Sequence, residues 1–221
     1  TNSESPEILI AGCGTGQHAI TTASKYKKSK ILALDLSFRS LSYAKRKANE
    51  LKINNIDFIQ GDILDLESID RKFDIIESVG VLHHMENPFN GWKILTSCLN
   101  NDSLMLIGLY SEKARQHIVE IKNKINKLKL QSNYKNIIKF RKDLINNNND
   151  QWNNIKSSPD FYTVSGVRDL LFHVQEHRFT IDIIRQNMKK LGLVFLGFED
   201  TYVLERFKKN YYNNEDLYNL D

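Results

Sequence analysis

Cysteine is scarce: the 221 residues hold two, Cys13 and Cys98. Two cysteines supply neither a disulfide framework nor a zinc framework, and the setting this predicts is reducing and cytoplasmic. Long apolar runs are missing too. No stretch approaches the roughly 18 apolar residues of a membrane span, so no membrane partner is expected. No secretory signal stands at the N-terminus and no internal repeat is present. Nor is there a zinc knuckle, an aromatic RNA-binding consensus or a helix-turn-helix pattern. Their absence weighs against nucleic acid as the partner behind the net charge of +4. Joint richness in Lys, Asn and Ile, a coding bias toward A and T, is the simpler source of that charge. What is present is apolar content: 41% of the chain is hydrophobic, enough for one good core and too little to need two.

The first half alternates strand and helix. Apolar runs at Ile8–Ala11, Lys30–Leu36, Ile56–Gln60, Phe73–Val79 and Ser103–Tyr110 predict five strands. Between them, Gly16–Lys28, Ser40–Leu51 and a segment from Pro88 to about Leu99 predict helices. The second has Leu41, Ala44, Ala48 and Leu51 on one face, and Pro88 suits a first helical turn. Alternation of this kind predicts an α/β fold with a mostly parallel, doubly wound sheet. Ligands of such sheets lie outside the carboxyl ends of the strands.

The alternation stops at Ser111. Residues 111–179 predict a helical cap inserted after the fifth strand. Ile118, Ile121, Ile125 and Leu128 form an apolar stripe, read as packing; Asn146–Asn154 is read as a loop; Ser165–Gln175 is read as a helix. Residues 180–221 return to the core, with a helix from Thr180 to Gly192 and a sixth strand at Leu193–Phe198. "TYVLERF" is a weak candidate for one more strand. Residues 1–110 form the core proper. Both ends look cut, and the expectation is an excerpt of a longer polypeptide.

Three glycines, Gly12, Gly14 and Gly16, follow the first strand in "ILIAGCGTGQHAI". A P-loop needs Lys-Ser or Lys-Thr after its last glycine, and Gln17-His18 stands there. A dinucleotide loop places its third glycine one residue later, where this chain has Gln17; that weakens the dinucleotide reading and leaves it open. The third reading is S-adenosylmethionine, with the glycines letting backbone pass close to its methionyl part. Asp35 ends the second strand, where a carboxylate accepts ribose hydroxyls. Asp62 follows the third, where it can accept from an adenine amine with Ile63 beside the ring.

With these in place, "AGCGTG", "LALDLS", "IQGDILDL", "FDIIESVGVLHHMENP" and "SLMLIGLY" resemble, in order and interval, class I S-adenosylmethionine-dependent methyltransferases. The "VLHHMENP" segment is similar to the branch acting on small molecules, and "RDLLFHVQEHRFT" resembles bacterial methyltransferase domains, some of which follow tetratricopeptide repeats. The resemblance implies a Rossmann-like fold, S-adenosyl-L-methionine as cofactor, a small-molecule acceptor and a neighbouring N-terminal domain in the full-length chain. It implies a cofactor site of Ala11, Gly12, Cys13, Gly14, Gly16, Asp35, Leu36, Asp62, Ile63 and Ser78. Two departures stand out. "NNDS" (Asn100–Ser103) replaces a Pro-Gly-Gly turn, and Asn and Asp tolerate the conformations glycine would supply. No [DN]-P-P-[YFW] motif follows the fourth strand, which disfavours adenine, cytosine or glutamine amide as acceptor. The rival readings are a protein or RNA methyltransferase, a cofactor-binding module without turnover, and an NAD-type oxidoreductase.

Methyl transfer from a sulfonium is a direct displacement, so alignment supplies most of the rate and a base matters only for a protonated acceptor. His83 and His84 are the candidates to act as base or to orient the acceptor, against a role in turn packing. Glu77 is a candidate for the methyl end. Tyr110, Arg115, His117, His173 and His177 are the candidate acceptor-binding residues, with Arg178 a further one suited to an acidic acceptor. His173 and His177, four apart, would share a helix face, but their spacing brings no third ligand and no metal is expected.

Overall fold

The computed structural model describes residues 4–146, 152–173, 175–211 and 217–220. β1 (Glu7–Ala11), β2 (Lys30–Asp35), β3 (Ile56–Gln60), β4 (Phe73–Val79) and β5 (Leu99–Gly108) form one sheet in the order β3-β2-β1-β4-β5. β1 pairs in parallel with β2 and with β4, and β2 with β3. Phe73 donates its N–H to the Cys98 carbonyl and Gly80 to that of Gly108, so β4 and β5 start and finish together. The helices α1 (Gln17–Lys25), α2 (Phe38–Glu50) and α3 (Pro88–Ser97) make the crossovers. This is the doubly wound Rossmann-like α/β fold, and strand order reverses at β1, where such sheets bind ligands.

The chain divides into two compact units. The first holds Thr1–Ser78, Phe89–Leu106 and Phe179–Asp221; the second holds Val79–Pro88 and Ile107–Arg178. In the first, β1 is central, and Ile8 to Ala11 are buried on both faces, as a covered parallel sheet requires. Ile8, Ile10, Ile31 and Ala33 pack with Ala19 and Ala23 of α1 and Leu41 of α2. The Ser37 hydroxyl accepts the Ser40 N–H and caps α2, a contact worth about 1 kcal/mol. Leu51, at the end of the predicted apolar stripe, is instead the exposed C-cap.

β5 starts at Leu99, earlier than its composition predicts, and takes in the "NNDS" turn. Asp102 there has φ 56°, the left-handed conformation glycine would supply.

Thr180 and Gly192 (φ 69°) cap α8 (Ile181–Leu191) as predicted. The expected sixth strand at Leu193–Phe198 is absent: those residues form no strand. A strand needs a ladder partner, and none of the described segments pairs with it; Gly197 at φ 124° interrupts the run, and Val194 is 80% exposed. "TYVLERF" is not a strand but part of α9 (Thr201–Asn210), capped by Asp200.

The second unit has its own core. α4 (Gln116–Lys127), α5 (Tyr134–Asn146), the short α6 (Asn153–Lys156) and α7 (Val164–Phe172) bury Ile118, Ile121, Ile125, Ile137, Phe140, Leu144, Ile155, Phe161, Val167 and Leu171 together. The predicted stripe is thus packing at three of its four positions; Leu128 is the α4 C-cap and is 55% exposed. Within the predicted Asn146–Asn154 loop, Asn146 closes α5 and Asn153 opens α6, while residues 147–151 lie outside the described residues. α7 stops at Phe172, short of the predicted Gln175, and residues 175–178 belong to no helix or strand. His173 and His177 therefore share no helix face.

Candidate functional site

The first unit gathers the predicted donor-side residues at the carboxyl edge of the sheet. Gly12, Gly14 and Gly16 have φ of 81°, 53° and 83°, values that L side chains rarely adopt. Their surroundings differ. A Cβ on Gly14 would meet nothing within 4 Å, so this stretch of backbone borders open space. A Cβ on Gly16 would lie 2.5 Å from that of Ala44. Gly16 is the N-cap of α1, and it is glycine because α2 approaches there, which explains its early place in the motif.

Asp35 ties the loop to the end of β2. Its Oδ2 accepts the Gly14 N–H at 2.7 Å and its Oδ1 accepts the Ser37 N–H at 2.8 Å. The backbone thereby fixes the carboxylate, and each oxygen keeps a lone pair for a diol. Leu36 beside it is 66% exposed, an apolar surface at the strand end. Cys13 is buried; burial and then the Asp35 carboxylate push its thiol up to about 12, so it supplies no thiolate. Asp62 caps the 3-10 turn Ile63–Ser68, its Oδ1 accepting the Leu64 N–H. Ile63 is turned into the core, while Leu64 is exposed. Ala11 is buried in β1. Ser78 is fully buried, and its hydroxyl has no partner among the described residues.

Glu77 is already engaged. Its Oε2 lies 2.7 Å from Nε2 of His18 and accepts the Thr22 hydroxyl at 3.1 Å. It joins β4 to α1. His18 and Thr22 escaped the sequence reading; their i, i+4 placement on α1, opposite an acidic strand residue, was the available signal.

In the second unit, the 3-10 turn Leu82–His84 carries the two histidines. His83 is fully buried and stacks on Tyr110 at 3.6 Å between ring centres. Neither of its ring nitrogens has a hydrogen-bond partner among the described residues. Burial, with His84 and Arg115 adding to it, lowers its pKa to about 3. The ring is neutral and has no exposed surface.

His84 is half-buried and lies edge-on to Tyr110. Its Nδ1 lies 3.0 Å from the Gln175 carbonyl, and its ring lies 3.9 Å from that of His173. Burial lowers its pKa against the opposing pull of that carbonyl. His173 is the C-cap of α7, with Nδ1 2.7 Å from the same Gln175 oxygen. His177 donates its backbone N–H to the His83 carbonyl, and its Nε2 lies 3.5 Å from Nε2 of Gln175. His117 lies on α4, half-buried.

Arg115 and Arg178 are committed to protein partners. Arg115 makes a bidentate pair with Glu176 at 3.0 and 2.9 Å, and its guanidinium covers the Tyr110 ring at 3.6 Å. Lys122 also donates to Glu176 at 2.9 Å, and Arg178 donates to Glu112 at 2.8 Å. Glu176 is only 2% exposed. Burial raises its pKa, but Arg115 and Lys122 outweigh that and hold it below the usual carboxylate range. Burial raises the pKa of Tyr110. From the sequence Arg115 and Arg178 are candidate acceptor residues, while Glu176, Lys122, Gln175 and Asp169 do not stand out. Only Asp169 left a signal, its i, i+4 spacing to His173.

A family model described as "Methyltransferase domain" matches residues 3–158. The chain is 28% identical to an uncharacterised Synechococcus protein over 88% of its own length and 49% of that protein. It is 32% identical to the probable (S)-tetrahydroprotoberberine N-methyltransferase 2 of Papaver bracteatum, over 51% of this chain and 31% of that one. The chain thus spans about half, or less, of the relatives it matches. Among solved structures, PKMT2 of Rickettsia typhi in complex with AdoHcy superposes with a TM-score of 0.65 at 22% identity, covering 94% of this chain and 44% of that one. The likeness supports the fold. No described helix is long and apolar enough to cross a membrane. The glycine loop, the acidic strand ends, the parallel sheet and the match over residues 3–158 make this chain a member of the methyltransferase-domain family, of the class I S-adenosylmethionine-dependent type.

Proposed function

We propose that the chain transfers a methyl group from S-adenosylmethionine to a small-molecule acceptor. The observation that carries the donor half is Asp35. Its carboxylate is held by the N–H groups of Gly14 and Ser37, beside a loop whose Gly14 faces open space. In this reading Ala11, Gly12, Cys13 and Gly14 border the methionyl part through backbone, and Gly16 sets the loop's approach to α1. Asp35 accepts the ribose hydroxyls, Leu36 covers the adenine edge, and Asp62 accepts from its amine with the Ile63 backbone alongside. Ser78 offers its unpartnered hydroxyl at the end of β4. The bound cofactor supplies an activated methyl on a sulfonium.

The acceptor half is the aromatic cluster of the second unit. Tyr110, its faces taken by Arg115 and His83, offers a ring edge, and His84 and His173 offer imidazole nitrogens. Arg115 and Glu176 fix Tyr110 from behind, and the neutral His83 packs under it. His117 and His177 flank the cluster in sequence. Glu77 keeps α1 in place rather than taking a proton. Methyl transfer needs the nucleophile, methyl and sulfur in line, and alignment is worth about 7–11 kcal/mol in well-oriented systems.

The small-molecule reading draws support from the relatives named as plant N-methyltransferases and from the absent [DN]-P-P-[YFW] motif. An assay with methyl-labelled cofactor decides it. We expect label in low-mass amines or hydroxy compounds. Label only in protein or RNA would overturn the acceptor class, and no transfer to any of the three would overturn the activity.

A further inference from the structure

We infer that His84, His173 and Asp169 form a binding site for a divalent first-row transition-metal ion such as Zn2+. One ring nitrogen of each histidine and one carboxylate oxygen of Asp169 all lie within 4.8 Å of one another. His84 is distant in sequence from the other two, which stand four residues apart at the end of α7. His84 comes from the turn after β4, Asp169 from α7, and His173 from the residue that ends α7.

The hydrogen bonds around the triad are those a metal site needs. Nδ1 of His84 and Nδ1 of His173 both lie within hydrogen-bond distance of one acceptor, the Gln175 carbonyl, at 3.0 and 2.7 Å. A carbonyl only accepts, so Nδ1 of His84 carries the proton and its Nε2 keeps a lone pair; Nδ1 of His173 lies 2.7 Å from the Gln175 carbonyl and also 3.3 Å from the Gln175 N–H. Metal-ligating histidines are fixed in this way, by a bond from the second nitrogen to a backbone carbonyl or carboxylate. Two imidazoles and a carboxylate are thus clustered within reach of one ion. With an ion, all three are satisfied.

The ligand set also selects the class of ion. Two imidazoles and one carboxylate suit Zn2+, Co2+ or Fe2+ better than Mg2+ or Ca2+, which prefer all-oxygen shells. Three protein ligands leave at least one position open. In the proposed methyl-transfer reading that position takes a nitrogen or oxygen of the acceptor, since His84 borders Tyr110. The metal site itself does not depend on that reading.

Untagged protein, stripped with a chelator, is titrated with Zn2+ by calorimetry and with Co2+ by visible absorption, with no donor or acceptor present. We expect one equivalent of each ion and ligand-field bands from Co2+. His173→Ala and Asp169→Asn should each weaken binding by about tenfold or more. His117→Ala, on α4 and outside the triad, should bind as the unaltered protein does. Circular dichroism melting confirms that each variant folds. No stoichiometric binding by the unaltered protein would overturn the inference and reduce the cluster to two histidines sharing a carbonyl. Equal affinity in folded His173→Ala and Asp169→Asn would also overturn it. Either failure leaves the methyl-transfer assay unaffected.

Discussion

The two units of this chain hold their polar groups in opposite ways. In the first, the residue we propose to hold the donor is a carboxylate at a strand end, Asp35, which accepts the backbone N–H groups of Gly14 and Ser37. Backbone hydrogen bonds fix its position, and nearly any sequence able to form the strand and loop would do the same. In the second, side chains hold side chains: Glu176 is gripped by Arg115 and Lys122, and Arg115 in turn covers Tyr110, on which His83 stacks. The first arrangement follows from fold; the second requires several distant residues at once.

The comparison breaks most readily at Glu176. Glu176→Gln leaves Arg115 and Lys122 buried with unbalanced charge, and should destabilise the second unit by about 3–5 kcal/mol. Denaturant unfolding measures this. Cofactor affinity per folded molecule should stay near that of the unaltered protein. The same group sets an acid limit. Its folded pKa is depressed, so its contribution is complete above the ordinary carboxylate value of 4.5 and is lost as pH falls through the lower folded value. The acid slope of stability should be shallower in Glu176→Gln than in the unaltered protein.

Next in size is Asp35→Ala. Charge-assisted hydrogen bonds of about 1.5–3 kcal/mol are lost, and S-adenosylmethionine affinity should fall roughly 10- to 100-fold by calorimetry, with the cap's unfolding unchanged. Gly16→Ala sharpens the division of labour within the loop. Its Cβ would press on Ala44 in a left-handed conformation, and we expect a loss of about 1–3 kcal/mol in the first unit's stability. The smallest effect belongs to Leu128→Ser. Although part of the α4 stripe by spacing, Leu128 is exposed and should shift unfolding by less than about 0.5 kcal/mol.

What was legible in the sequence follows the same division. Strand, loop and crossover in residues 8–110 leave local signals, because periodicity and turn chemistry are decided over a few residues. The caps at Thr180 and Gly192 are local as well and stand where spacing puts them. The strand at Leu193–Phe198 had the right composition and failed because a strand is defined by its partner. In the second unit, the spacing of His173 and His177 suits a helical pair, but α7 ends between Asp169 and His173. The residue that meets His173 is then His84, far away in sequence, and no periodicity announces that contact. Arg115 and Arg178 looked free because their partners, Glu176 and Glu112, are set by tertiary packing alone.

In the proposed function the glycine loop and Asp35 bind S-adenosylmethionine. The direct measurement is a calorimetric titration of the intact protein with S-adenosylmethionine and, in parallel, with NAD. The account predicts one-to-one binding of the first, lost or strongly weakened in Asp35→Ala, and no binding of the second. Saturable binding of NAD with none of S-adenosylmethionine would contradict it.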